Sequence, residues 1–292
     1  MPSKISKTKP KHSWQFEALG TLWQVETLLP LAADVKAQIT VRIEAFDKTY
    51  SRFRDDSLVT KLAAAAGTYG FPEDAHELVA FYEQLYKATN GAVSPLVGGM
   101  LEQAGYDKEY SLRPGDIEPV PAWDDAMTWN GRKVTTNRPL TLDFGAAGKG
   151  YMNDMVGELL EEAGHKVYAV DASGDVRVRG QNEVIGLENP YDPASVIGAA
   201  RVTDASICAS ASNRRVWADD WHHVVDPRTG KPVNDVVATW VIADTTMVAD
   251  GLATALFFVS ADKLAAWDFE YVRLYANGTI ERSTDFVGEL YI

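Results

Sequence analysis

The 292-residue sequence is poor in features that mark several common protein classes. It contains a single cysteine, Cys208, so an intrachain disulfide and an all-cysteine zinc site are both excluded. It has no run of about 18 apolar residues, and no membrane span is therefore expected. The formal net charge of -13 argues against nonspecific binding to nucleic acid or to an anionic membrane surface. A few local positive groups and a divalent cation would still allow one anionic ligand to bind.

The start of the chain is basic, but no apolar segment follows it. A secretory signal needs such a segment, so we expect a cytoplasmic protein. The alternative, that a leader was removed ahead of the numbered start, stays open. Residues 1–14 are predicted to be a flexible N-terminal tail, and residues 15–292 are predicted to form one domain.

The composition, 46% hydrophobic and 24% charged, is typical of an ordinary globular protein. The spacing of apolar residues predicts helices over Ala32–Phe53, Asp74–Thr89, Lys149–Gly164 and Thr246–Val259. Alternating and β-branched segments predict strands over Phe16–Leu28 with a bend at Gly20, Lys166–Gly180 with a break at Ser173-Gly174, Val184–Leu187, Val196–Val202, Ala238–Ala243, and a hairpin over Tyr271–Ile280. Strands and helices interleave without a regular βαβ alternation. This order favours a mixed α+β fold, with mainly antiparallel sheets packed with helices, over a doubly wound fold.

A Gly/Ala-rich turn, Leu142-Asp-Phe-Gly-Ala-Ala-Gly-Lys-Gly150, stands between a predicted strand and a predicted helix. It would place Lys149 and backbone amides at a helix start, where a pyrophosphate can bind. The glycine spacing is not that of a Walker A loop or a dinucleotide fingerprint. A tight strand-to-helix turn with an exposed lysine is the structural alternative.

A second motif, Ala249-Asp-Gly-Leu-Ala-Thr254, places Asp250 and Thr254 four residues apart on one face of a predicted helix. Two such oxygen ligands suit Mg²⁺, which also keeps several waters and takes ligand phosphate. The alternative is structural, with the aspartate capping the helix and the threonine bonding back to the chain. Together the two motifs point to an enzyme that handles a nucleotide.

A third candidate is His222-His-Val-Val-Asp-Pro-Arg-Thr-Gly230, two adjacent histidines ahead of a turn fixed by Pro227 and Gly230. Adjacent side chains on a strand point to opposite faces, so only one histidine can face a given pocket. That histidine could act as a general base on a hydroxyl. The alternative is a histidine bonded to backbone at the end of a sheet. Ser210 and Ser212 lack the glycines of a nucleophile elbow.

These segments, in this order, resemble the FAD:protein FMN transferase (ApbE) family from about Gly20 to Phe258. The matching blocks are Leu19-Gly-Thr21, Ser51-Arg-Phe-Arg-Asp-Asp-Ser57, Gly91-Ala-Val-Ser-Pro-Leu-Val-Gly98, Leu142–Gly150, Ser173-Gly-Asp175, His223–Gly230 and Ala249–Thr254. The resemblance implies a magnesium-dependent enzyme that cleaves FAD, releases AMP and attaches FMN by a phosphoester bond to a threonine of a target flavoprotein.

The resemblance also implies roles for individual residues. Mg²⁺ would be held by the Ala146 carbonyl and by the side chains of Asp250 and Thr254. His223 would deprotonate the acceptor threonine. The residues expected to contact FAD are Leu19, Phe53, Ala92, Val93, Ser94, Asp143, Lys149, Val224 and Val225. Among these, the ring of Phe53 suits stacking against the flavin.

The sequence departs from the family pattern at three places. Ser94 stands where the family commonly has aspartate, Ser173 replaces a glycine, and Cys208-Ala-Ser-Ala211 replaces an Ala-Thr-Ser-Gly segment. Because Asp250, Thr254 and His223 are retained, an active but divergent transferase is expected. Two alternatives stay open: an FAD pyrophosphatase that passes the phosphorus to water, and a non-catalytic FAD-binding protein.

Overall fold

The structure is a computed structural model that describes residues 12–218 and 221–291. Most of the predicted N-terminal tail, residues 1–11, lies outside the described residues. Residues 12–14, which the prediction assigned to the tail, belong to the first strand. Among the described residues, no helix combines the length and the apolar character needed to cross a membrane.

The centre of the fold is an eight-stranded sheet in which every neighbouring pair of strands is antiparallel. In spatial order its strands are β1 (His12–Ala18), β2 (Thr21–Thr27), β6 (Tyr168–Ala172), β7 (Asp175–Arg179), β10 (Ser206–Ala211), β15 (Val236–Ala243), β16 (Glu270–Tyr275) and β17 (Ile280–Arg282). The predicted mixed α+β architecture is therefore confirmed.

Smaller sheets surround the central one. They comprise β3 (Gly67–Gly70), β5 (Lys133–Thr136) and β4 (Met127–Asn130); β18 (Gly288–Leu290), β9 (Asp192–Thr203) and β8 (Asn182–Asn189); β11 (Val216–Trp217) with β12 (Trp221–His222); and β13 (Val225–Asp226) with β14 (Lys231–Pro232).

The helices are α1 (Ala33–Tyr50), α2 (Leu58–Ala64), α3 (Ala75–Ala88), α4 (Gly98–Gln103), α5 (Trp123–Ala126), α6 (Gly148–Glu162) and α7 (Thr246–Ala255). Helix α1 buries Val35, Ile39, Ile43 and Phe46, the three-to-four residue spacing that predicted it. Short 3₁₀ turns occur at Pro95–Val97, Ser212–Arg214 and Ala261–Leu264.

The central sheet has a different layer on each face, because successive strand residues point in opposite directions. On β10, Cys208 belongs to the core shared with α1, α3, α6 and α7. Its neighbour Ile207 belongs to the core shared with β8 and β9. On β15, Val241 likewise belongs to the core on the helical side, and Ile242 belongs to the core on the other side. The sheet is thus held between a helical layer and the β18-β9-β8 sheet.

Several elements differ from the predicted ones. The strand predicted over Phe16–Leu28 is a hairpin of β1 and β2, because Leu19 (φ 50°) and Gly20 (φ 68°) reverse the chain where a bend was expected. The last predicted helix ends at Ala255 rather than Val259. Strand β10 was not predicted, since its small residues Ser, Ala and Cys carry little strand propensity.

Helices α6 and α7 are locked together at the N-terminus of α7. The Asp154 carboxylate on α6 accepts hydrogen bonds from the backbone amides of Thr246 (2.9 Å) and Met247 (2.8 Å). Free amides at a helix start need such acceptors, and a carboxylate there also meets the positive end of the helix dipole. This contact fixes the position of α7, which carries the candidate metal ligands.

Candidate functional site

One cavity of about 670 Å³ brings together every site residue predicted from the sequence. Its size lies within the range of about 300–1,000 Å³ that is usual for small-molecule sites. The predicted residues that line it are Leu19, Phe53, Ala92, Val93, Ser94, Asp143, Ala146, Lys149, His223, Val224, Val225, Asp250 and Thr254. Residues far apart in sequence therefore meet at one place, as a functional site requires.

The Gly/Ala turn leads directly into α6, as predicted, but its groups are less free than expected. The amide of Gly145 donates to Asp143 Oδ1 (2.7 Å), and the amide of Ala147 donates to the Tyr82 hydroxyl (3.2 Å). Lys149 is not an exposed lysine, because its ammonium forms an ion pair with Asp175 and donates to the Ala172 carbonyl (3.1 Å). Burial acts to lower the pKa of Lys149, but the charges of Asp175 and Asp250 outweigh it and raise the pKa.

Asp250 and Thr254 both line the cavity from helix α7. Asp250 is not the helix cap, since Thr245 holds that position and accepts from the amide of Val248 (3.3 Å). The Asp250 carboxylate instead accepts a 2.9 Å hydrogen bond from the amide of Gly150. The capping alternative for Asp250 is therefore wrong.

The charges around Asp250 suit a divalent cation. Burial first, and then the carboxylate of Asp175, raise the pKa of Asp250 well above its ordinary value, while Lys149 acts in the opposite direction. Two buried carboxylates thus share one lysine, and a divalent ion would relieve the excess negative charge. Among the described residues, no group of three or more His, Cys, Asp and Glu side chains forms a metal cluster. The donor set fits Mg²⁺, which takes few protein ligands and completes its shell with water and phosphate.

Asp143 is held by Arg52, a residue that sequence reasoning did not select. The Arg52 Nε lies 2.6 Å from Asp143 Oδ2, and Arg52 Nη1 donates to the Tyr106 carbonyl (2.7 Å). Burial acts to raise the pKa of Asp143, but the Arg52 guanidinium and its hydrogen bond outweigh it and keep the pKa below its ordinary value. The signal was present in the sequence, because Arg52 stands next to Phe53 in the Ser51–Ser57 block.

The aromatic residues of the cavity form a stack beside this ion pair. The Phe53 ring lies parallel to Tyr110, with centroids 5.6 Å apart and planes inclined by 13°. The Phe53 ring also contacts the Arg52 guanidinium, which lies 4.2 Å from the ring centroid. An aromatic face supported in this way can stack on a planar ring of a ligand.

The two adjacent histidines have different environments. His222 is buried, its Nε2 bonds the Val233 carbonyl (3.0 Å), and its Nδ1 accepts from the Val224 amide (3.2 Å). The structural interpretation therefore applies to His222. His223 faces the cavity, and its Nδ1 is buried with no hydrogen-bond partner among the described residues.

His223 has the protonation state that a general base needs. Burial, and then the nearby Arg215 charge, lower the pKa of His223 to about 3. The imidazole is consequently neutral at physiological pH and can accept a proton, but a pKa this far below 7 makes it a weak base. The turn that follows also forms as predicted, with the Gly230 amide donating to the Asp226 carbonyl (2.8 Å).

Several lining residues were missed by sequence reasoning as site residues. They are Arg52, Tyr106, Tyr110, Glu188, Arg214 and Arg215. Most lie in loops and short strands where apolar periodicity carries no signal. Ser210 lies at the wall together with Ala209 and Ala211, and Ser173 lies beside Gly174. The Ser173 hydroxyl donates to the Leu22 carbonyl (2.9 Å), which holds the loop in place.

Comparison with known proteins shows the family of this chain. The sequence matches the model of the ApbE family over residues 19–271. The FAD:protein FMN transferase of Klebsiella pneumoniae is 26% identical over 274 residues, which cover 85% of this chain and 78% of that protein. The FAD:protein FMN transferase of Haemophilus influenzae is 29% identical over 268 residues, which cover 82% of this chain and 73% of that protein.

Solved structures share the fold. The crystal structure of the ApbE protein from Thermotoga maritima has a TM-score of 0.84 at 22% identity and covers 94% of this chain and 97% of its own. The flavin transferase ApbE from Vibrio cholerae has a TM-score of 0.77 at 19% identity and covers 95% of this chain and 99% of its own. At these identities the likeness shows the fold alone.

Proposed function

The chain belongs to the ApbE family, and we propose that it is a transferase that moves the FMN part of FAD onto a threonine of a target flavoprotein. Its sequence relatives are named FAD:protein FMN transferase, and this chain matches most of their length. The single observation that best supports the proposal is the meeting of His223, Asp250 and Lys149 in one cavity. A neutral base, a carboxylate that can hold a metal ion and a lysine at the Gly/Ala turn are groups that such a transfer can use.

In this proposal FAD lies with its diphosphate between the Gly/Ala turn and α7. Asp143, fixed by Arg52, and Lys149 would contact FAD, and Phe53 would stack against the flavin ring. The remaining contacts would come from Leu19, Ala92, Val93, Ser94, Val224 and Val225. Mg²⁺ would be held by the Ala146 carbonyl, Asp250 and Thr254, and would supply charge neutralisation at the diphosphate.

The chemical step of this proposal uses His223 as the base. The acceptor threonine oxygen forms a bond to the phosphorus of the FMN half, and the bond from that phosphorus to the bridging oxygen breaks. The leaving group is AMP, and the hydroxyl proton passes to His223 Nδ1, which has no hydrogen-bond partner within residues 12–218 and 221–291. The other residues act by holding the hydroxyl and the phosphorus in line.

The test uses purified protein, FAD, MgCl₂ and a flavoprotein domain that carries an acceptor threonine. We expect covalent flavin fluorescence on the acceptor in a denaturing gel, and none when the acceptor threonine is changed to valine. Nucleotide chromatography on the same samples separates the alternatives. FMN and AMP formed without acceptor would indicate a pyrophosphatase, and intact FAD throughout would indicate a binding protein. The prediction of a cytoplasmic location stays a prediction.

A further inference from the structure

The basic side chains that line the cavity differ in whether a carboxylate pairs with them. They are Arg52, Arg54, Lys149, Arg214 and Arg215. Four are neutralised by carboxylates: Arg52 by Asp143, Arg54 by Asp47, Lys149 by Asp175 and Arg214 by Glu188. Arg215 forms no ion pair with any residue in the ranges 12–218 and 221–291. In a chain of net charge -13, a cavity cation without an ion-pair partner among the described residues is an unusual feature.

Arg215 is positioned beside the proposed base by a short hairpin. Strands β11 and β12 pair Val216 with His222 and Trp217 with Trp221. Extending this antiparallel register by one residue places Arg215 opposite His223. The guanidinium also lies 5.3 Å from the centroid of the Tyr106 ring, so an aromatic face supports it. The hairpin therefore brings the Arg215 guanidinium to the part of the cavity that holds the proposed base.

We propose that Arg215 binds a phosphate group of the dinucleotide substrate next to His223 and makes the cavity select flavins that carry phosphate. This inference rests on the proposed function, since it assigns the ligand class of the same cavity. A guanidinium presents paired donors that match phosphate oxygens, and such charged hydrogen bonds are stronger than neutral ones. The other four cations attract a phosphate less strongly, because a carboxylate already neutralises most of their charge.

The experiment compares the binding of FAD with that of riboflavin, which has the same ring system and no phosphate. Affinities are measured by quenching of flavin fluorescence in the complete protein, with MgCl₂ held constant and no acceptor present. We expect Arg215→Gln to weaken FAD binding about tenfold or more. The affinity for riboflavin should stay unchanged, and Arg215→Lys should keep part of the FAD affinity.

Arg54→Gln is the matched control. It removes the same charge from the wall of the same cavity, but from a side chain already bonded to Asp47 and Asp56. It should change FAD affinity by less than about threefold, because its charge is already neutralised. Thermal unfolding of both variants checks that they are folded.

Two results would overturn the inference. One is an Arg215→Gln variant that binds FAD as tightly as the wild type. The other is an equal loss of FAD and riboflavin affinity, which would indicate a structural role. Because binding is measured without acceptor, a protein that binds FAD through Arg215 but never transfers FMN would count against the proposed function alone.

Discussion

The backbone amide of Gly150 donates a 2.9 Å hydrogen bond to Oδ2 of Asp250, a residue 100 positions later in the chain. This bond joins the start of α6 to the middle of α7. It aims the carboxylate at the Gly/Ala turn, where Ala146 lines the same cavity. The two sequence motifs that flank the proposed metal position are therefore connected directly.

The contact between α6 and α7 leaves no room for a side chain at Gly150. A Cβ there would overlap the Thr246 carbonyl oxygen and lie 2.8 Å from Cβ of Asp250. We expect Gly150→Ala to push α7 outward, to lower the free energy of unfolding by about 1–3 kcal/mol, and to weaken Mg²⁺ binding. Gly99→Ala is the control, because its Cβ would meet nothing within 4 Å. Thermal unfolding with and without MgCl₂ measures both effects, and a normal Mg²⁺ response in Gly150→Ala would contradict the prediction.

Replacing the Asp250 carboxylate should separate metal binding from folding. Mg²⁺ at about 100 times its dissociation constant should stabilise the wild type by about 2.7 kcal/mol, and Asp250→Asn should lose this gain. Without metal, burial and Asp175 raise the pKa of Asp250, so its ionisation costs stability as the pH rises above the ordinary value. Metal-free Asp250→Asn should consequently be at least as stable as the wild type at pH 7. The exposed Asp285→Asn serves as control, and an unchanged Mg²⁺ response in Asp250→Asn would exclude this metal position.

The low pKa of His223 makes a prediction about acid stability. The folded protein holds His223 neutral down to about pH 3, whereas the unfolded chain protonates it near the ordinary value of 6.5. Stability contributed by neutral His223 is therefore present at neutral pH and is lost as the pH falls from about 6.5 towards 3. Denaturant unfolding at pH 4, 5 and 6 should show a slope up to about 1.4 kcal/mol per pH unit steeper in the wild type than in His223→Gln.

The exposed His76→Gln is the control for this series and should keep the wild-type slope. Equal slopes for the wild type and His223→Gln would mean that the imidazole is not held neutral by the fold. Because His223 stays neutral above about pH 3, its titration should not change the transfer rate between pH 5 and 8.

The Phe53 ring should contribute to binding in a way that differs from Arg215. Phe53→Ala removes a stacking surface, so it should lower the affinities for FAD and for riboflavin by a similar factor, about tenfold. Phe53→Tyr keeps a ring and should retain most of the affinity for both. Fluorescence titration with the two ligands measures this, and a loss confined to FAD would contradict the stacking role.

The parts of the site that follow local patterns could be predicted from the sequence. The Gly/Ala turn, the helix with Asp250 and Thr254 four residues apart, and the Asp226–Gly230 turn depend on glycine, proline and helical spacing. These signals act within a few residues and carry over to the folded chain. The resemblance to the ApbE family indicated the other predicted residues, and the structure shows all of them lining one cavity.

The parts that depend on long-range pairing could not be predicted. Nothing near Lys149 in the sequence indicates its ion pair with Asp175, and nothing near Asp143 indicates Arg52. The hairpin that sets Arg215 opposite His223 has strands of only two residues each, too short to show alternation. The hairpin of β1 and β2 has the sequence pattern of one long strand, because the segments on both sides of its Leu19-Gly20 turn are rich in strand-forming residues.

The most direct test of the central claim is the intact mass of an acceptor flavoprotein domain after incubation with this protein, FAD and MgCl₂. We predict that the acceptor gains the mass of one FMN phosphoester on its threonine, with one AMP released per adduct, and that His223→Gln yields neither while still binding FAD. An unmodified acceptor alongside consumed FAD, or full modification by His223→Gln, would contradict the account.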